Sequence, residues 1–284
     1  MSGFNQRAIL LVLSFAAFLA GIAGSLQAPF YPKEAENKGV NEAQVGIVFA
    51  LYHFTIFTTS PFFGRNVTKL GAKRMVNFGL FIMGISAIGF GLMERVKDNR
   101  TFLGMCLVIR VIEAFGHSSF KTATFSIVSK EFPETVTFSL AALQSSFGTG
   151  LTLGPFIGGL FYDVGGFVLP FMMIGILIIF AAIMTYLVLP SNTLTFYNQD
   201  MSSDDLLNNR KGLRDIIKSR VIVLQAISTL SATICIGFLQ ATLRNHINQF
   251  HLSDAIVGKK ILYLQFSGSL RLRLNRGNLI YNNI

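Results

Sequence analysis

Seven long apolar stretches restrict this chain more than any other feature of its sequence. They lie at about residues 8–29, 44–64, 75–93, 102–122, 139–162, 167–189 and 220–243. Each is close to the roughly 20 apolar residues that an α-helix needs to cross the hydrocarbon core of a bilayer. Charged residues make up only 13% of the chain, whereas an ordinary soluble domain has about 25%. The pattern therefore predicts an all-α, polytopic membrane protein that lies in a lipid bilayer.

The connections between these stretches divide the chain into four parts. Residues 1–190 hold six stretches and are predicted to form an N-terminal six-helix half. Residues 191–219 are polar, and we expect a linker loop there. Residues 220–258 contain the seventh stretch and the start of a second half. Residues 259–284 carry five basic residues, no acidic residue and no uncharged run long enough to span a membrane, so we expect an atypical basic tail that is foreign to the rest of the chain.

Lys and Arg residues near the ends of the stretches are about twice as numerous on one side as on the other, which predicts a cytoplasmic N-terminus and linker. The same loops account for the net charge of +10, so this charge does not indicate nucleic-acid binding. The first stretch is uncharged over residues 8–31. A signal peptide has an apolar region of only about 7–15 residues, so we expect this stretch to remain as a spanning helix.

The sequence does not indicate chemistry that needs a cofactor. Its two cysteines, Cys106 and Cys235, lie in apolar stretches, and no Cys/His cluster has the spacing of a zinc site. No pair of nucleophile and base is apparent. We therefore expect no cofactor, no metal and no enzymatic activity.

Glycines recur every four residues in the fifth stretch, at Gly150, Gly154 and Gly158. They remove side chains from one helix face, so that a neighbouring helix can approach closely. Pro155 frees a backbone group that neighbouring helices can satisfy. The run of Gly, three residues, Gly-Pro, two residues and Gly-Gly, which ends at Gly159, resembles the fifth-helix "antiporter" motif of the major facilitator superfamily. Tight helix packing alone is the alternative interpretation.

The connection between the second and third stretches resembles a second motif of that superfamily, its cytoplasmic loop. The residues that carry this resemblance are Gly64, Lys69, Gly71, Lys73 and Arg74. Thr68 stands where the family pattern has Asp, so the charge-assisted hydrogen bond that an Asp would accept is not expected here. A solvated basic loop is the alternative.

Charged residues interrupt the fourth stretch, where each costs roughly 2.5–3.5 kcal/mol on insertion scales and usually has a function. Arg110, Glu113 and His117 are three and four residues apart, so they project from one helix face. That face is expected to look into the bundle. Arg-x-x-acid followed by Gly116 resembles the fourth-helix motif of the superfamily, which is linked with proton coupling. A static pair of Arg110 and Glu113 that only holds helices together is the alternative.

Two further polar residues are candidates for lining a path through the bundle. His53 interrupts the second stretch, and Gln144 lies in the fifth. The alternative for both is a packing role with hydrogen bonds satisfied inside the bundle.

Residues 28–39, which end the first stretch, are distinctive. Together with the motifs above, in the same order and spacing from about residue 8 to Gly258, they resemble the vesicular amine transporter family, and most of all its polyamine-type branch. The resemblance implies two six-helix halves around a midplane site and proton-driven antiport of a small organic cation into an acidic organelle. The monoamine and acetylcholine branches place an acid in the first stretch, and this sequence has none there. Glu113 is then the main buried acid, and we expect Arg110 and Glu113 to carry the coupling.

Two alternatives stay open. The motifs mark the superfamily better than its substrate, so another small solute fits them too, and the plasma membrane is an alternative location. Half of the fold also lacks the opposite wall of the path unless the chain self-associates. A non-transporting membrane protein is therefore the second alternative.

Overall fold

The computed structural model describes residues 3–189 together with residues 223, 224, 227 and 231. Residues 3–189 fold into six long helices, which are α1 (Gly3–Asn37), α2 (Glu42–Leu70), α3 (Ala72–Gly91), α4 (Asn99–Glu131), α5 (Val136–Gly165) and α6 (Val168–Val188). A short 3₁₀ turn, Leu92–Arg95, joins α3 to α4. The prediction of an all-α, polytopic membrane protein is confirmed. The predicted linker, most of the seventh stretch and the predicted tail lie outside the described residues.

Most of the helices extend further than the apolar stretches do, because polar residues continue them beyond the length needed to cross a bilayer. The ends are fixed by capping side chains. The Asn41 side chain accepts a hydrogen bond from the Ala43 amide at 2.6 Å and the Gln44 side chain accepts one from the Asn41 amide at 3.0 Å, so both cap α2. At the start of α4, Asp98 accepts hydrogen bonds from the Thr101 hydroxyl and amide. These bonds hold the pKa of Asp98 below its ordinary value.

Five of the six helices are long and apolar enough to cross a membrane, and α5 is the helix that falls outside this group. Its hydropathy is lowered by the glycines and hydroxyl residues of residues 145–159. The glycine-bearing face does not need to be apolar for contact with lipid, because it is buried inside the bundle. A fifth helix is therefore present at the predicted position, although its composition alone would not assign it to the membrane.

The six helices pack in a pattern that repeats internally. α1 packs mainly on α5 and then α6, α3 packs on α4 and α6, and α2 packs on α4. Exchanging α1–α3 for α4–α6 turns the α1–α5 contact into the α4–α2 contact and the α3–α4 contact into the α6–α1 contact. Such nested three-helix repeats are typical of secondary transporter folds. The exchange places α1 and α4 at equivalent positions, and the side chains of the two helices meet inside the bundle.

Paired glycines let the helix backbones touch where these helices cross. A Cβ atom added to Gly79 of α3 would lie 2.6 Å from the carbonyl oxygen of Gly116 in α4, and one added to Gly84 would lie 2.9 Å from that of Gly175 in α6. On α5, a Cβ atom at Gly150 would overlap the Phe18 carbonyl of α1. Small residues at helix crossings allow this approach, and they bring the middle of α1 close to α4 and α5.

A single added methyl group tests this packing. A Cβ atom at Gly150 would overlap the backbone of α1, so we expect Gly150→Ala to lower the free energy of unfolding by about 1–3 kcal/mol, the usual effect of overpacking. Gly148→Ala is the matched control, because a Cβ atom there meets no atom within 4 Å. Thermal unfolding in the same detergent compares the two purified variants. Equal melting temperatures would contradict the close contact of α1 and α5.

Candidate functional site

A buried ion pair lies on the inner face of α4. The Arg110 Nη1 atom donates to the Glu113 Oε2 atom at 2.9 Å, and each side chain is only 1% exposed. The two residues are one helical turn apart, which brings their side chains together. Removing two charges from water costs several kcal/mol for each ion, so this pair needs further partners in the bundle.

Gln27 of α1 supplies one of those partners. Its Nε2 atom donates to the same Glu113 Oε2 atom at 3.0 Å, and Gln27 is also buried. Oε2 therefore accepts two hydrogen bonds from two different helices. Both of these bonds end on Oε2, so the two oxygens of Glu113 are not equivalent.

Aromatic rings of α2 cover the guanidinium group of Arg110. Its central carbon lies 4.0 Å from the ring centroid of Tyr52 and 5.7 Å from that of Phe49. A cation over an aromatic face in a desolvated site is stabilised by about 2 kcal/mol. Arg110 thus joins α2 to α4 through ring contacts, while Glu113 joins α4 to α1 through Gln27.

His117 extends this cluster by one turn of α4. Its ring packs edge-on against Tyr52, with the centroids 6.1 Å apart, and against Phe147 of α5 at 5.6 Å. His117 is buried, and its Nδ1 atom makes no hydrogen bond within the described part of the chain. Half-buried Lys121 follows, with its Nζ atom 5.7 Å from the Phe147 ring.

The other two predicted path residues lie at the edge of this cluster or away from it. His53 is half-buried, and its ring packs edge-on against Tyr52 at 5.3 Å. Gln144 is exposed on α5, and its side chain makes no hydrogen bond with residues 6–189. The structure thus brings together Arg110, Glu113 and His117, places His53 beside them through Tyr52, and leaves Gln144 apart.

The predicted basic loop is mostly helical. α2 runs to Leu70 and α3 begins at Ala72, so the break is a single residue, Gly71. Gly71 has φ +83°, a conformation that glycine adopts without strain. Lys73 packs over the Tyr186 ring of α6 at 4.9 Å. The side chains of Lys69 and Arg74 are exposed, as is Gly64.

The glycines of the fifth helix lie against α1. A Cβ atom at Gly154 would overlap the Ser25 hydroxyl oxygen, and one at Gly158 would overlap the Leu26 side chain. Pro155 and Gly159 are buried beside them. This α1–α5 seam therefore continues on both sides of the level at which Gln27 leaves α1.

Reading the sequence for charges did not find Gln27 and did not give Tyr52 a role. The signal for Gln27 is its carboxamide in a stretch of 24 residues, 8–31, without any charge. Burying such a group without a hydrogen bond costs roughly 1–3 kcal/mol, so a partner had to exist. No pattern in the sequence indicates that this partner is Glu113, because the two residues are 86 positions apart. Within residues 3–189 no cluster of His, Cys, Asp or Glu could hold a metal ion.

Comparison of the sequence with known proteins agrees with this helical membrane fold. The sequence profile of the Major Facilitator Superfamily matches residues 13–270. The chain belongs to this superfamily. It is 31% identical over 266 residues to the MFS-type transporter SLC18B1 of Mus musculus and 30% identical over 266 residues to that of Homo sapiens. Each alignment covers 93% of this chain and 56% of the relative.

A bacterial protein is also similar to part of this chain. The multi-drug resistance efflux pump PmrA of Streptococcus pneumoniae is 27% identical over 189 residues, which cover 65% of this facilitator and 46% of the pump. This facilitator spans about half the length of the curated relatives it matches. The predicted membership of the superfamily is confirmed, and with it the interpretation as a multi-pass membrane protein.

The energetics of the ion pair can be tested on the purified facilitator. Arg110→Met or Glu113→Leu leaves one buried charge without its partner, so we expect each to lower the free energy of unfolding by about 3–5 kcal/mol. The double variant has no unpaired charge and should be more stable than either single variant. Thermal unfolding in detergent measures all three. Additive losses in the double variant would show that the two side chains are not coupled.

Proposed function

We propose that this facilitator exchanges protons for an organic cation, such as an amine or a polyamine. The observation that carries the proposal is the asymmetry of Glu113, whose Oε2 atom accepts both the bond from Arg110 and the bond from Gln27. An intramembrane acid of this kind is usually functional. The resemblance to the vesicular amine transporter family supports the choice of substrate class.

The exchange follows from the charges of the pair. With Glu113 ionised, Oε1 accepts a hydrogen bond from the cation. A proton on Oε1 leaves both bonds to Oε2 in place, but it removes the negative charge that balances Arg110. The positive charge of Arg110 is then uncompensated and repels an incoming organic cation. This repulsion is strong where the dielectric constant is low. A proton and a cation therefore exclude one another at Glu113, which is the requirement for antiport.

The histidines provide a route by which protons reach this site. His117 lies one turn from Glu113 on the same face, and its ring meets the Tyr52 ring that carries Arg110. His53 meets the same Tyr52 ring from α2. A neutral imidazole has one donor and one acceptor nitrogen, so in this proposal His117 and His53 pass protons to and from Glu113.

The glycine motifs would let the site open alternately to the two sides of the membrane. In this proposal α1 and α5 slide along the seam at Gly150, Gly154 and Gly158, which lie against backbone and side-chain atoms of α1. Pro155 and Gly159 are buried beside this seam. The basic pair that follows Gly71 faces the cytoplasm together with the N-terminus, and the membrane is that of an acidic organelle.

Uptake into vesicles tests the proposal. The chain is reconstituted into proteoliposomes with an acidic interior, and uptake of labelled spermidine is compared with that of protein-free liposomes. We expect uptake that disappears when the pH gradient is dissipated. Glu113→Gln should reduce it about tenfold or more, because the substituted side chain carries no charge and cannot exchange a proton. Glu94→Gln, at an exposed acid in the turn before α4, is the matched control.

Two other outcomes would favour the alternatives. Uptake that is independent of the pH gradient, or of a different solute, would fit the similarity to PmrA, a multi-drug resistance efflux pump. A folded wild-type chain without any uptake would fit a non-transporting membrane protein. Chemical cross-linking would then show whether two copies of the chain associate.

A further inference from the structure

The carboxamide of Gln27 has an orientation that its neighbour dictates. An ionised carboxylate has acceptor oxygens and no donor. Gln27 must therefore point its Nε2 atom towards Glu113 and its Oε1 atom away from Oε2. The 3.0 Å bond from Nε2 to Oε2 has this orientation. The Oε1 atom of Gln27 is buried and makes no hydrogen bond with any of residues 6–189.

The unpartnered Oε1 atom of Gln27 therefore belongs to a group that is already hydrogen-bonded to Glu113, whose own Oε1 atom accepts neither the bond from Gln27 nor the bond from Arg110. Both side chains are only 1% exposed. They come from α1 and α4, the two helices that occupy equivalent central positions in the bundle. A ligand that satisfies both oxygens needs a positive charge for Glu113 and more than one N–H group.

The aromatic faces of the site limit the kind of cation further. A quaternary ammonium group has no N–H donor and depends on aromatic faces for its recognition. At this site the Tyr52 ring already carries Arg110 at 4.0 Å, and Phe49 faces the same guanidinium at 5.7 Å. These rings already contact Arg110, so the Oε1 atoms of Gln27 and Glu113 are the groups that remain to bind an incoming cation.

We infer that Gln27 is a specificity-determining residue, whose Oε1 atom and the Oε1 atom of Glu113 together accept N–H groups of a protonated amine. The site then selects primary and secondary ammonium groups over quaternary ones. This inference rests on the proposed antiport of an organic cation, and it adds the residue that discriminates between classes of amine.

The test compares two substrates that differ only in methylation. Putrescine and its fully N-methylated, bis-quaternary analogue are offered to proteoliposomes with an acidic interior, and KM and the maximal rate are measured for each. For the wild type we expect a KM for putrescine about tenfold or more below that of the analogue, since a site that donates or accepts hydrogen bonds rejects a ligand that cannot make them.

Substitution of Gln27 should remove this preference. Gln27→Met keeps the length of the side chain without its hydrogen bonds, and we expect it to raise the KM for putrescine about tenfold while the KM of the analogue and both maximal rates change little. Gln27→Asn, which draws the carboxamide back by one methylene group, should raise the KM for putrescine by a smaller factor. Ser25→Ala is the matched control on α1, because that hydroxyl group bonds only to the carbonyl oxygens of its own helix at Gly21 and Ile22.

The outcomes separate this inference from the proposed function. Wild-type uptake that depends on the pH gradient, with equal KM values for the two substrates, would overturn the role of Gln27 and leave antiport standing. The same holds if Gln27→Met raises both KM values equally, which indicates a structural role. If Gln27→Met does not fold, the wild-type ratio and Gln27→Asn decide the question. Absence of any uptake by the folded wild type would overturn the proposed function and this inference together.

Discussion

The structure depends on one buried ion pair in α4 whose two side chains need partners from other helices. Arg110 and Glu113 lie on the same face of α4, and each takes a partner from another helix, namely Tyr52 of α2 and Gln27 of α1. A charged pair inside a bilayer contributes little stability by itself, because desolvation offsets most of the attraction. Its consequence is positional, since α1 and α2 must stay close enough to α4 to provide those partners.

Glycine contacts make that proximity feasible. Gly150 brings α5 against α1, and Gly79 and Gly116 bring α3 against α4, so that each of the two helices joined by the Gln27–Glu113 bond is packed closely on a neighbour. In lipid no hydrophobic force drives helices together, and close packing and interhelical hydrogen bonds must do so. The glycine seams and the polar cluster are therefore two parts of one arrangement. The seams set the distance between helices, and the cluster uses it.

Sequence reasoning could predict the helices and the inner face of α4, because helical spacing and the cost of buried charge are local properties. It could not predict that Glu113 meets Gln27 or that Arg110 stacks on Tyr52, because those contacts depend on how distant helices cross. The prediction that Gln144 lines a path stays a prediction, because a side chain that is exposed on α5 can face either lipid or a path. The connection that resembles a cytoplasmic loop proves to be a single glycine, Gly71, between two helices. The break is short because polar residues continue α2 and α3 beyond their apolar stretches, and a search for apolar stretches does not detect such residues.

The central claim is that a proton and an organic cation compete for one carboxylate. Calorimetry of spermidine binding to the purified protein tests it directly, in buffers of different protonation enthalpy at a mildly acidic pH. Binding to the wild type should release protons, and binding to Glu113→Gln should release none, since the amide side chain has no proton to exchange. Binding to the wild type without proton release would contradict the account, because the cation would then occupy a site that does not involve the protonation of Glu113.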